Sequence, residues 1–157
     1  MKKFSRALAR WTVRKIEWKH SRTLLGAKDR DLLRFEQKNG MLRNILSAEV
    51  PPLAARYAEE VLNGTLRDAG IGRERLTGWI WHAGGRDVLM ALQVRLGLSA
   101  ENVRWSAAVL RDYGNISSPC VYFVLREALA EKAPGGMWWM SSFGAGFSCH
   151  GALLEVE

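Results

Sequence analysis

LTGWIWHAGGRDV, Leu76–Val88, changes character halfway along. Its first six residues are rich in β-branched and aromatic side chains, which suits a buried strand. Gly84 and Gly85 break that run, and the spacing that follows predicts a helix over Gly85–Leu96, stopping at Gly97. A buried strand feeding straight into a helix is the building unit of a layered α/β domain. His82 stands at the joint.

The flanking sequence reads the same way. Upstream, Val50–Ala69 is expected as a long helix. Pro51 and Pro52 suit its first turn, Leu53, Tyr57, Val61 and Leu62 recur at helical spacing, and Gly70 and Gly72 end it. Downstream, Ser99 caps a helix running to Gly114, with Asn102 inside its first turn. SSPCVYFVLREALAEKA predicts another helix, with a Ser cap and Pro119 in its first turn. GGMWWMSSF and HGALLEV read as two closing strands around the turn GAGFSC. Nearer the start, DRDLLRF reads as a short strand and GMLRNIL as a turn or short helix. The expected class is α/β, a mixed sheet with helices packed on it.

Composition bounds the function. The chain has 157 residues, 48% of them apolar and 25% charged, which suits one globular domain. There is no apolar run of membrane-spanning length and no secretory signal pattern, so a cytoplasmic protein is expected. Cys120 and Cys149 do not make a disulfide framework. The net charge of +7 is concentrated: residues 1–34 hold eleven Lys and Arg against three Asp and Glu. Phe4, Leu8 and Trp11 fall on one helical face of that segment. Residues 1–32 therefore read as a basic leader that suits a helix, and residues 33–157 as the domain. A basic amphipathic helix can meet an acidic membrane or a nucleic acid, but a solvated or partner-packed leader explains it as well, and no nucleic-acid partner is expected.

Two polar residues invite a chemical reading. His82 ends a strand beside glycines that let a ligand approach closely, at the start of a helix whose free N–H groups carry positive charge. A His there can donate to a developing oxyanion or exchange a proton. Asn115, in YGNISSP (Tyr113–Pro119), follows Gly114 at a helix end. Each has a plain structural explanation by itself: a satisfied buried His, and an Asn that tolerates a left-handed bend. Cys149 precedes His150, but neighbours on a strand point to opposite faces and do not pair. Cys120 reads as a small core residue.

WHAGGRDVL, LRDYGNISSPCVYFVL and WWMSSFGAGFSCHGALLEV occur in the order found in type III polyketide synthases, the chalcone and stilbene synthase family. From about Leu33 to Glu157 the chain resembles the C-terminal half of such an enzyme. The resemblance implies a thiolase-like fold of two similar α/β halves, and decarboxylative condensation of malonyl-CoA with an acyl-CoA starter. It makes His82 and Asn115 the catalytic pair that holds the thioester carbonyl oxygen. Gly84 and Gly85 would line the CoA tunnel, and Gly144 and Gly146 the cyclisation cavity. It implies CoA thioesters as substrates, with neither a metal nor a further cofactor. Ala83 and Ala145 stand where the family usually has Pro, which bears on the substrate class. In the family the acyl-carrying cysteine lies in the N-terminal half; this chain offers no matching nucleophile, so that half, or a dimer partner, is an expected partner. The other expectation is a non-catalytic remnant or partner-binding domain. A half taken from such a fold should also expose an apolar face, with helices 50–69 and 117–132 as its candidates.

Overall fold

The computed structural model describes residues 14–157. In chain order the elements are β1 (Ile16–Leu25), a 3-10 turn (Ala27–Leu32), β2 (Leu33–Lys38), β3 (Met41–Leu46), α1 (Val50–Ala69), β4 (Leu76–Trp81), α2 (Arg86–Leu96), α3 (Ala100–Tyr113), α4 (Cys120–Ala130), β5 (Gly136–Gly144) and β6 (Ser148–Val156). The main sheet has the order β1-β6-β5-β4, and β2 and β3 form a separate hairpin. β4 runs parallel to β5, and β6 runs antiparallel to both β5 and β1. The sheet is therefore mixed, as expected.

Alternation along the strands sorts the core into two layers. On one face Trp79, Trp81, Trp139 and Leu153 pack against Val61 and Leu62 of α1 and Leu92 of α2. On the other, Ile80, Trp138, Met140 and Leu154 meet Trp105 and Val109 of α3 and Val124 of α4. Trp81, Trp138 and Trp139 are fully buried. Each removes on the order of 150–250 Å² of mostly apolar surface from water, a large share of what holds the layers together. Gly78 is where Trp138 lies flat on the sheet: a Cβ there would come within 2.5 Å of its ring.

Several local expectations need correction. The leader expected over 1–32 contains β1, which closes one edge of the sheet. Its basic residues are engaged: Lys19 pairs with Glu155 and Glu17, and Arg22 with Asp68 of α1. An edge strand is wet on much of its surface, so charge was no sign of a leader there. The proposed helical face of Phe4, Leu8 and Trp11 lies outside the described residues. GMLRNIL is β3, neither turn nor helix. Asn39 and Gly40 both adopt positive φ, 53° and 76°, the turn that joins two-residue hairpins. Residue 118 does not cap α4; Pro119 occupies the cap position without a side-chain bond.

Helix α1 is not a free apolar face either, since ten of its residues are buried inside the domain. Exposed apolar side chains lie instead on the β2–β3 hairpin (Phe35, Leu42, Leu46) and around a groove of about 280 Å³, where Trp18 of β1 faces Tyr122 of α4. No described helix is long and apolar enough to cross a membrane.

Candidate active site

His82 follows β4 immediately. Its backbone N–H donates to the Ser141 carbonyl at 2.9 Å, one more rung of the β4–β5 ladder. That rung delivers the imidazole against β5, where the Phe143 N–H donates to Nδ1 at 3.1 Å. The Phe143 ring lies against the imidazole at 5.9 Å between centroids. A donated N–H needs a free lone pair on Nδ1, which only the neutral ring has, and the proton of that neutral ring must then sit on Nε2. His82 is 6% exposed, and burial pushes its pKa below the ordinary 6.5, against a smaller opposing effect of the adjoining Asn115 side chain. The site thus holds a neutral imidazole with its N–H on a defined atom. Nε2 is buried and has no hydrogen-bond partner among the described residues.

Asn115 reaches the same place from the loop after α3. Its Nδ2 donates to the Gly84 carbonyl at 2.8 Å, and its Oδ1 accepts the Ser117 N–H at 2.9 Å. Both ends of the amide are thereby assigned, and Nδ2 keeps one N–H to spare. Gly84 is the meeting point: a Cβ on it would sit 3.6 Å from His82 Nε2. The left-handed positions of this loop are Gly114 and Ser117, with φ of 71° and 64°, so Asn115 is not there to tolerate a bend. Its side chain is used for bonding. The site accordingly has two N–H donors, His82 Nε2 and the spare Asn115 Nδ2, beside one small residue. Such a pair suits a carbonyl oxygen that gains negative charge.

The other glycines fall into two groups. Gly85 begins α2, with nothing within 4 Å of where its Cβ would be. Gly144 and Gly146 belong to the β5–β6 hairpin. Gly146 has φ of 87°, and its N–H donates to Leu33 at the base of β2. Gly144 adjoins Phe143, so the hairpin reaches the site through the Phe143 backbone. Sequence reasoning missed that backbone donor, since a main-chain N–H carries no residue signature. It also missed Ser118, in the turn before α4, whose hydroxyl donates to the Phe143 carbonyl at 3.0 Å and holds the peptide that follows the donor.

Neither cysteine is a ready nucleophile. Both are fully buried. Burial pushes the Cys120 thiol up to about 11 and the Cys149 thiol up to about 12. Cys149 faces Ser141 inside the core, while His150 points outward to Thr23 and Ser148 at 3.0 Å each. Among the described residues no group of three His, Cys, Asp or Glu could hold a metal ion.

Residues 24–155 match the family model for the C-terminal domain of chalcone and stilbene synthases. The chain belongs to this family. It is 35% identical over 113 residues to 3,5-dihydroxyphenylacetyl-CoA synthase of Amycolatopsis orientalis, covering 70% of this chain and 30% of that one. The enzyme of the same name in Streptomyces toyocaensis is 31% identical over 129 residues, covering 80% and 33%. The chain thus spans about a third of the length of these relatives. Among solved structures it is similar to PKS-I of the brown alga Ectocarpus siliculosus, with a TM-score of 0.79 and 31% identity over 90% of this chain and 39% of that one. It is also similar to 1,3,6,8-tetrahydroxynaphthalene synthase of Streptomyces coelicolor A3(2), a bacterial type III polyketide synthase, with a TM-score of 0.82 and 26% identity over 90% and 41%. The fold is that of a type III polyketide synthase C-terminal domain.

Proposed function

We propose that this domain supplies the histidine–asparagine oxyanion pocket of a type III polyketide synthase, acting on malonyl-CoA and an acyl-CoA starter. One observation carries the reading: His82 presents a buried Nε2–H, unpartnered among the described residues, beside a spare N–H of Asn115. In the proposed reaction both donate to the thioester carbonyl oxygen of the malonyl group. The bond to the carboxylate carbon breaks, carbon dioxide leaves, and the electron pair is held as an enolate whose oxygen lies between the two donors. The enolate carbon then attacks the carbonyl of the starter thioester, forming the new C–C bond and expelling a thiolate.

The starter must be held by a thiolate that Cys120 and Cys149 do not provide, being buried and protonated at neutral pH. We assign that role to a cysteine-bearing N-terminal half or a partner subunit. Gly84, Gly85, Gly144 and Gly146 keep their expected roles as tunnel and cavity positions within this proposal.

The test supplies that half in trans. Purified protein is incubated with malonyl-CoA and an acyl-CoA starter, with and without a cysteine-bearing N-terminal half of a type III polyketide synthase. Extended product only with the added half is expected. Product from this chain alone, lost on Cys149→Ser, would move the nucleophile to Cys149. A folded complex that neither decarboxylates nor condenses would make the domain a non-catalytic remnant or partner-binding unit.

A further inference from the structure

Among the described residues β4 is an edge strand, paired with β5 on one side only. Its other edge should be wet, yet Trp81, His82 and Ala83 at its end are all buried. Backbone groups of alternate residues point to the same side of a strand. His82 sends its N–H to β5, so the N–H and carbonyl of Trp81 and the N–H of Ala83 face outward. Buried and unpaired, each would be costly.

Two side chains meet these groups. The Ser106 hydroxyl, fully buried on α3, accepts the Trp81 N–H at 3.1 Å and donates to the Trp81 carbonyl at 3.0 Å. Cys120 Sγ, at the start of α4, accepts the Ala83 N–H at 3.2 Å. Together they take the place of a further strand. The peptide before His82 is then bonded at both ends, its carbonyl to Ser106 and its N–H to Ser141. The peptide after His82 is bonded through the Ala83 N–H. With the planes on both sides fixed, the backbone angles of His82 are fixed, and so is the register of its ring against the Phe143 N–H.

We infer that Ser106 is a positioning residue for His82, with Cys120 as its counterpart on the following peptide: they close the outer edge of β4 and thereby hold the imidazole in one orientation and one tautomer. This rests on the reading of His82 as an oxyanion donor, but its test does not need activity. The chain has three histidines, so imidazole nitrogen shifts measured by long-range ¹H–¹⁵N NMR on the whole protein are assignable. In the wild type His82 should show a proton-bearing Nε2 and an accepting Nδ1. Ser106→Ala should mix the tautomers and move the His82 titration upward toward its ordinary value as the ring gains access to water. Ser106→Thr, which keeps the hydroxyl, should restore the wild-type pattern. Cys120→Ala provides the same readout if Ser106→Ala does not fold, with Cys120→Ser as its rescue. A folded Ser106→Ala or Cys120→Ala protein that melts earlier, yet keeps the His82 nitrogen shifts and titration unchanged, would make the edge contacts merely structural and overturn the inference. Unchanged catalysis in a variant whose His82 tautomers are mixed would instead count against the oxyanion reading.

Discussion

Two histidines in this domain stand on either side of β5, His82 just past the end of β4 and His150 in β6, and they could hardly differ more. His82 is buried, its Nδ1 is taken by a main-chain N–H, and its Nε2 has no partner among the described residues. His150 is exposed, and both of its ring nitrogens meet hydroxyls, Thr23 and Ser148, at 3.0 Å. One ring is sealed with a donor left over; the other is satisfied and wet. Residue type and position near a strand end do not separate them. What does is the direction of the side chain on the pleat and the dryness of the face it enters.

Catalysis should show the difference most strongly. In a complex reconstituted with a cysteine-bearing half, His82→Ala or Asn115→Ala should lower malonyl-CoA decarboxylation by about 10²–10³-fold, the usual loss on removing one oxyanion donor. His150→Ala should leave the rate within a factor of about two, as expected for a solvated surface change. Equal losses at the two histidines, measured as carbon dioxide release, would erase the contrast.

Next in size is the packing under the outward-facing strand. Gly151 separates exposed His150 from buried Ala152 and lies against the core. A Cβ there would come within 2.3 Å of Trp139 Cη2 and 2.7 Å of Val61 Cγ1, both deeply buried. Gly151→Ala should therefore destabilise the domain by ~1–3 kcal/mol through overpacking, read as a lower midpoint of chemical denaturation at unchanged slope. His150→Ala next door should cost less than about 0.5 kcal/mol. If the glycine change proved as mild as the histidine change, the sheet would be looser here than the contacts indicate.

The sequence and the structure agree where one pattern dominates. Leu76–Trp81 and Val50–Ala69 are long and strongly patterned, and both stand as expected. The Ser99 cap stands as expected, and the structure adds that Asn102 bonds back to it in a reciprocal box. The strand β1 was hidden because Lys19 and Arg22 counted as leader charge until β6 and α1 supplied Glu155 and Asp68. β3 was hidden although Asn39-Gly40, a strong hairpin signal, stood in plain view. At the site, His82 and Asn115 were legible only through three motifs taken together. The Phe143 N–H, Ser106 and Ser118 were not, since a main-chain donor has no side-chain signature and a lone serine in a helix announces nothing.

The pH dependence of stability sharpens the contrast without any substrate. Burial lowers the His82 pKa in the folded state below its unfolded value near 6.5. Above that value both states hold the neutral ring, and stability is at its full level. As pH falls below about 6.5 the unfolded chain takes up the proton first, so stability declines, levelling off once the pH is below the folded pKa. His82→Gln should remove this acid-side decline, measured as denaturation midpoints between about pH 7 and 5. An unchanged slope would mean that the ring charges freely in the native protein, against its sealed environment.

The smallest expected effect is an absence of reaction. Cys149 follows the inward direction of the pleat that sends His150 outward, and burial pushes its thiol up to about 12, as it pushes Cys120 up to about 11. At pH 8 the reactive thiolate is then roughly 10⁻⁴ of Cys149 and 10⁻³ of Cys120, before any barrier to reagent entry. Native protein should give almost no signal with an aromatic disulfide reagent, while denaturant should release two thiols. Because both folded values lie above the ordinary 9.0, the linkage runs opposite to that of His82: stability is at its full level below about pH 9 and is lost as pH rises toward the folded values. Rapid native labelling of Cys149 would mean that the hairpin opens on its inner face. A thiolate would then stand beside His150 after all, and the two histidines would be less different than the closed structure makes them.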